Sequence, residues 1–177
     1  MLHSGYVKAA QDAIAHVKSA VRYRGLNTAG GWIRHPLEIP QKFDARIWSL
    51  QEGGRRNAAR SNEAFDVQVF IDEMASLGRL SQTGNCGELS AIAFLYLKSR
   101  GIAPIDYFAL WRGDWNHAFV VLNRDASIPV QDFGRWSYSA VVCDPLYDRS
   151  ADAGHLAVWY PKRFPLQRSD VWQRWEG

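Results

Sequence analysis

Residues 84–101 read GNCGELSAIAFLYLKSRG and predict the central helix of the fold. From Cys86 onward the apolar residues fall on nearly every side of a helical projection, until Lys98, Arg100 and Gly101 end the pattern. A helix that is apolar all round has to be covered by other elements, so we expect it at the centre of the domain. One of only two cysteines in the chain lies in its first turn.

The sequence before this helix predicts further helices and an irregular stretch. Apolar residues at helical spacing indicate amphipathic helices from Tyr6 to Arg22 and from Glu63 to Leu77. Ser61 or Asn62 can cap the second helix, and Gly78 can end it. Residues 24–60 contain two glycine pairs and two prolines, which predict irregular chain packed onto a core.

The sequence after the central helix predicts an antiparallel meander. IDYFALW at 105–111 and HAFVVL at 117–122 read as strands joined by the turn RGDWN, and YSAVVC at 138–143 reads as a third strand. Helices followed by a run of strands predict an α+β domain rather than a parallel doubly wound sheet.

Length and composition predict one folded domain with no membrane span. The chain has 177 residues, 47% of them hydrophobic and 22% charged, which is enough to build one core. The net charge is +3, and the positive residues are spread along the chain apart from Arg55, Arg56 and Arg60. We interpret this cluster as a solvated loop rather than a phosphate-binding patch, so no nucleic acid partner is expected. The amino terminus has no secretory signal pattern. We expect free thiols and a cytoplasmic protein, or one secreted into a target cell by a system that needs no cleavable signal.

Cys86 is placed where a cysteine can act as a nucleophile. The attacking species is the thiolate, which a helix amino terminus or a neighbouring imidazolium stabilises. Free backbone amides at Cys86 and Gly87 can hold the oxyanion of a tetrahedral intermediate, and a glycine after the cysteine leaves room for a substrate.

A base and an orienting acceptor for that nucleophile are available on the predicted strands. His117 begins one strand and Asp144 follows the last, on the face it shares with Val142, so neighbouring strands can present the two side chains to each other. Asp114 and Asp132 are rival acceptors, but neither ends a strand.

Structural interpretations of these residues remain open at this stage. Cys86 can be an inert buried thiol or half of a Cys86–Cys143 disulfide, and Cys143 in its apolar strand is expected to be core. Asp144 before Pro145 can simply start a turn. A zinc site made of Cys86, His117, Cys143 and His155 lacks the closely spaced ligand pairs typical of such sites, so no metal is expected.

The order of these motifs resembles the papain-like and transglutaminase-like superfamily. A cysteine at the start of a buried helix, then HAFVVL, then VVCDP, is similar over residues 80–148 to the core of that superfamily, including bacterial effector and toxin-like proteases and protein-glutamine deamidases. The resemblance implies a papain-like core in which Cys86 is the nucleophile, His117 the general base and acid, and Asp144 the orienting carboxylate. Residues 1–80 would then form the recognition part and 81–150 the catalytic core of one domain.

The resemblance also implies an activity and its supporting residues. It predicts a cysteine protease or glutamine deamidase that acts on a protein substrate without a cofactor, with Gln82 as a candidate oxyanion donor and Trp115 as a candidate groove wall. Papain proteases have an aromatic residue where this chain has Gly87, which favours the deamidase and effector-like relatives. Acyl transfer of the transglutaminase type on the same triad, and a non-catalytic protein-binding module, are the alternatives.

Overall fold

A computed structural model describes residues 3–26, 38–59, 65–112, 115–130, 132–136, 139–160 and 171–176. The helices are α1 (His3–Ala20), α2 (Ile39–Ala59), α3 (Val67–Ser81), α4 (Cys86–Ser99) and α5 (Leu156–Trp159). The strands are β1 (Tyr23–Arg24), β2 (Thr83–Gly84), β3 (Ile105–Arg112), β4 (Trp115–Leu122), β5 (Val141–Asp144), β6 (Arg149–Asp152) and β7 (Val171–Glu176). The chain is therefore a mixed α+β protein, as the sequence predicts.

The main sheet is an antiparallel meander with one added strand. Its order is β6-β5-β4-β3-β7, so the three predicted strands lie side by side and β4 is central. The strand β7 pairs with β3 at the opposite end from β6. Neither β6 nor β7 was expected from the sequence. A second, two-stranded parallel sheet pairs β1 with β2, directly before α4.

The two faces of the main sheet carry separate hydrophobic clusters. Side chains of α1 and α4 pack on one face, against alternate residues such as Tyr107, Val120 and Cys143. Phe108, Phe119 and their neighbours fill the other face together with Trp136 and Leu156. The helix α4 is buried on nearly every side, which confirms its predicted central position.

The helices α1 and α4 match their predictions closely, whereas the limits of α3 differ. Asp66 caps α3, because its side chain accepts a hydrogen bond from the amide of Val69, while Ser61 and Asn62 lie outside the described residues. Gly78 does not end the helix. It lies inside α3, where a Cβ would come within 3.1 Å of Glu88 Cβ, so it allows α3 and α4 to pack closely.

The prediction of irregular chain over 24–60 is wrong for residues 39–59, which form the 21-residue helix α2. Pro40 lies in its first turn, where a missing amide proton costs no intrahelical hydrogen bond. Gly53 and Gly54 lie inside α2 although glycine costs about 1 kcal/mol relative to alanine there. Arg55 and Arg56 are helical too, and both bond to Glu52 rather than lying in a loop.

Within the part of the chain that the structure describes, every helix is too short or too polar to cross a membrane.

Candidate active site

The turn before α4 fixes the position of Cys86. Thr83 and Gly84 pair with Tyr23 and Arg24, so the chain entering α4 is held as a strand. Gly84 is required by packing, because a Cβ there would lie only 2.8 Å from Leu89 Cδ2. The backbone amide of Asn85 donates to Glu88 Oε2 at 3.0 Å, a capping interaction that fixes the first turn.

Two hydrogen bonds attach α4 to the central strands. Ser90 Oγ donates to the carbonyl of Ala118 in β4 at 3.0 Å, and Tyr107 Oη in β3 donates to the carbonyl of Gly87 at 3.3 Å. Both bonds lie within one turn of Cys86. They therefore hold the helix amino terminus next to the start of β4, where His117 lies.

His117 and Asp144 form a buried pair. The Nε2 atom of His117 lies 2.7 Å from Asp144 Oδ2, and the two side chains are only 3% and 0% exposed. The ladder of β4 and β5 explains the meeting, since Val120 pairs with Cys143, the neighbour of Asp144. The prediction that the two strands bring these residues together is confirmed.

Asp144 also starts a turn. Its Oδ1 accepts the backbone amides of Leu146 and Tyr147 at 3.1 and 3.4 Å, while Oδ2 binds His117. The structural and the functional interpretations of this residue are thus compatible, because each uses a different carboxylate oxygen. The turn fixes the orientation of the oxygen that faces the imidazole.

Cys86 lies beside His117, and both residues line the same pocket. An interaction with the Cys86 side chain is one of the influences on the imidazole. Burial lowers the pKa of His117, but the adjacent carboxylate and the contact with Cys86 outweigh it and raise the pKa from 6.5 to about 9.

Tyr160 completes this group and was missed by the sequence analysis. Its hydroxyl donates to Asp144 Oδ2 and lies 3.3 Å from His117 Nε2. Burial and the neighbouring carboxylate raise the pKa of Tyr160, so the hydroxyl stays protonated and remains a donor. The guanidinium of Arg149 lies over the Tyr160 ring and bonds the carbonyl of Trp159 at 3.3 Å, which holds the tyrosine in place.

Arg24 connects the two halves of the site. Its backbone pairs with Gly84, two residues before Cys86, and its side chain bonds the carbonyl of Pro145 at 3.3 Å and Asp148 at 2.8 Å. One largely buried residue therefore links the segment that carries Cys86 to the turn that follows Asp144.

A pocket of about 380 Å³ opens in front of the sulfur. Its lining comes from the start of α4, from the central strands and from α2 and α3: Arg46, Phe70, Met74, Asn85, Cys86, Gly87, Glu88, Tyr107, Ala109, Leu110, Asn116, His117 and Ala118. A group bound there would meet the thiol and the imidazole together. Asn85, directly before the cysteine, also lines the pocket, and the sequence analysis did not consider it.

The residues predicted to support the nucleophile differ in their positions relative to the pocket. Gly87 lines the pocket, but the space of its missing Cβ is taken by Met74, whose Cε would lie 2.8 Å away, rather than left free for a substrate. Gln82 does not reach the pocket. It ends α3 in a left-handed conformation, and its exposed amide donates to the carbonyls of Ala20 and Arg79. Trp115 is the first residue of β4, and its side chain lies outside the described residues.

The alternative assignments concern the acceptor for His117, the pairing of the two cysteines and a metal site. Asp132 pairs with Arg135 on the surface, and Asp114 lies outside the described residues. Both cysteines are free, and Cys143 is fully buried with its thiol 3.6 Å from the carbonyl of Ala10, as expected for a core residue. Among the described residues, no group of three or more histidine, cysteine or acidic side chains is arranged to hold a metal ion.

Comparison of the chain with protein-family models, with curated proteins and with solved structures finds no match.

Proposed function

We propose that the protein is a cysteine-dependent hydrolase that acts on amide bonds of a protein substrate, as a protease or a protein-glutamine deamidase. One observation carries the proposal: the His117 imidazole is bonded to the Asp144 carboxylate and lines the same pocket as Cys86. A nucleophile, a base and an orienting acceptor in this order form the arrangement used for acyl transfer. The helix-start cysteine and the antiparallel sheet also agree with a papain-like or transglutaminase-like core.

The first half of the reaction forms a thioester. The imidazolium of His117 stabilises the thiolate of Cys86, which attacks the carbonyl carbon of the substrate amide. Negative charge moves to the carbonyl oxygen, which the backbone amides of the first turn of α4 can stabilise. The imidazolium then gives its proton to the nitrogen, the carbon–nitrogen bond breaks, and an amine or ammonia leaves.

The second half restores the enzyme. Neutral His117 takes a proton from water, and the resulting hydroxide equivalent attacks the thioester carbonyl. The carbon–sulfur bond breaks, a carboxylic acid leaves, and the sulfur regains its place beside the imidazolium. Asp144 holds the ring throughout, with Tyr160 as a second donor to the same oxygen.

The test is a comparison of substrates processed by the natural protein and by Cys86→Ala. Each protein is incubated with a cell extract, and mass spectrometry follows new peptide ends, conversion of glutamine to glutamate, and incorporation of an added amine. Cleavage supports the protease, deamidation without cleavage supports the deamidase, and amine incorporation supports the transglutaminase alternative.

The matched control is Cys143→Ala, which removes the other cysteine and is expected to keep the activity. We expect Cys86→Ala to lose it completely. Full activity in Cys86→Ala would overturn the assignment of the nucleophile.

A further inference from the structure

A second pocket lies beside the catalytic one. It has a volume of about 280 Å³ and lies between α2 and α3. The two pockets share four lining residues: Arg46, Phe70, Met74 and Glu88. Because these four residues belong to both linings, the two pockets lie side by side.

The walls of the second pocket suit an apolar side chain. Leu50, Phe70, Met74 and Leu77 contribute hydrocarbon surface. Charged groups at its edge are already engaged with partners from the protein: Arg46 pairs with Glu88 at 3.2 Å, and Arg56 bonds Glu52 at 2.8 Å. A charged guest would have to compete with these ion pairs, whereas an apolar guest would not.

Gly53 and Gly54 keep the pocket open. Both lie inside α2, where glycine is less stable than alanine, so folding alone does not favour them. Packing does not require them either, because a Cβ at Gly54 would have no neighbour within 4 Å and one at Gly53 would touch only Leu77 Cδ1, at 3.5 Å. What the two glycines do provide is a gap in the helix surface at the pocket wall.

The same helix carries an exposed apolar stripe that leads to this pocket. Ile39, Phe43, Ile47 and Leu50 are 47%, 56%, 39% and 59% exposed. Their spacing of four, four and three residues places them along one side of α2, and Leu50 also lines the second pocket. The stripe therefore reaches the second pocket at Leu50.

We propose that the surface of α2 and the second pocket together bind an apolar segment of the polypeptide substrate, with one aliphatic or aromatic side chain seated beside Gly53. This inference rests on the proposed function and defines its substrate class: a polypeptide with apolar residues near the attacked amide. The four lining residues that the second pocket shares with the pocket in front of Cys86 favour a substrate segment over a second copy of this chain.

The binding test uses Cys86→Ala, which leaves peptides intact. The protein is equilibrated with an equimolar mixture of synthetic peptides that differ only in one guest residue, and mass spectrometry identifies the retained peptides. We expect leucine, methionine and phenylalanine guests to be retained about tenfold better than serine or lysine guests. Adding Gly53→Leu should abolish this preference by filling the pocket, and the smaller change Gly53→Ala should weaken it.

The matched control is Gln51→Ala, at an exposed position of α2 that lines neither pocket. The melting temperature measures the effect of each alanine on helix stability, but only Gly53→Ala should weaken apolar binding. Equal retention of peptides with different guest residues would overturn the proposal. An apolar preference that is unchanged in Gly53→Leu would overturn it too. Self-association of the protein that is abolished by Phe43→Ser, a change at an exposed residue, would also overturn the proposal. A second copy of the chain would then cover the apolar stripe.

Acylation of Cys86 by p-nitrophenyl acetate separates this inference from the proposed function. The reagent has no side chain to reach the second pocket, so its rate should be unchanged in Gly53→Leu. If apolar peptides are retained but the reagent never acylates Cys86 in the natural protein, the catalytic proposal fails and the binding groove stands. If acylation occurs and no apolar preference is found, the groove proposal fails alone.

Discussion

Replacing Asp144 by asparagine should lower the pKa of His117 strongly. The carboxylate is the largest of the influences that raise this pKa, followed by the contact with Cys86, while burial acts in the opposite direction. A net rise from 6.5 to about 9 corresponds to about 3 kcal/mol in favour of the imidazolium. Since the carboxylate is the largest influence that raises this pKa and burial remains in the variant, the pKa of His117 in Asp144→Asn should fall well below about 9.

Proton NMR titration of the histidine ring signals measures this directly and needs no substrate. The signal of His117 is identified as the one missing from His117→Gln. A matched control is Asp152→Asn, because Asp152 is 2.6 Å from His3 in an exposed pair and its loss should not move the His117 signal. Titration of His117 near 6.5 in the natural protein, or an unchanged value in Asp144→Asn, would refute the reasoning.

Further predictions follow from the same geometry. The pKa of His117 is higher in the folded protein than in the unfolded chain, so the free energy of unfolding should fall as pH rises from about 6.5 through about 9. Urea titrations at several pH values should show that this decrease is much smaller in Asp144→Asn. Tyr160→Phe removes the hydroxyl that donates to Asp144 Oδ2, the same oxygen that binds His117. Because this oxygen is then left to the imidazole, the same NMR titration should give a higher pKa for His117 than in the natural protein. Gly84→Ala should lower the free energy of unfolding by about 1–3 kcal/mol because its methyl group would overlap Leu89, whereas Gly134→Ala, with no neighbour within 4 Å of the new atom, should change it by less than about 0.5 kcal/mol.

Local periodicity predicted the elements that carry the candidate catalytic residues. The apolar run after Cys86 and the segments around His117 and Asp144 have the spacing of a buried helix and of strands, although β4 begins two residues before its predicted start and β5 three residues after it. Strand order then brings imidazole and carboxylate together, because consecutive strands of a meander pair with each other.

Other features depend on contacts that local sequence does not contain. The helix α2 was missed because Pro40 and the glycine pair look like helix breakers, while its packing on α3 and the pockets along it appear only in three dimensions. Tyr160 comes 16 residues after Asp144, and no spacing rule links them. Gln82 was chosen for its closeness in sequence to Cys86, but the left-handed end of α3 turns its side chain towards α1.

The rate of alkylation of Cys86 by iodoacetamide near neutral pH tests the central claim most directly. The other cysteine is an internal reference, because burial raises the pKa of Cys143 and hides it from the reagent. Only a few per cent of an ordinary thiol is ionised at about pH 7, so a thiolate paired with imidazolium should react about tenfold faster than a peptide thiol. We expect this faster alkylation for Cys86 in the natural protein, its loss in His117→Gln, and no labelling of Cys143. A Cys86 that reacts no faster than a peptide thiol, at the same rate in both proteins, would contradict the account.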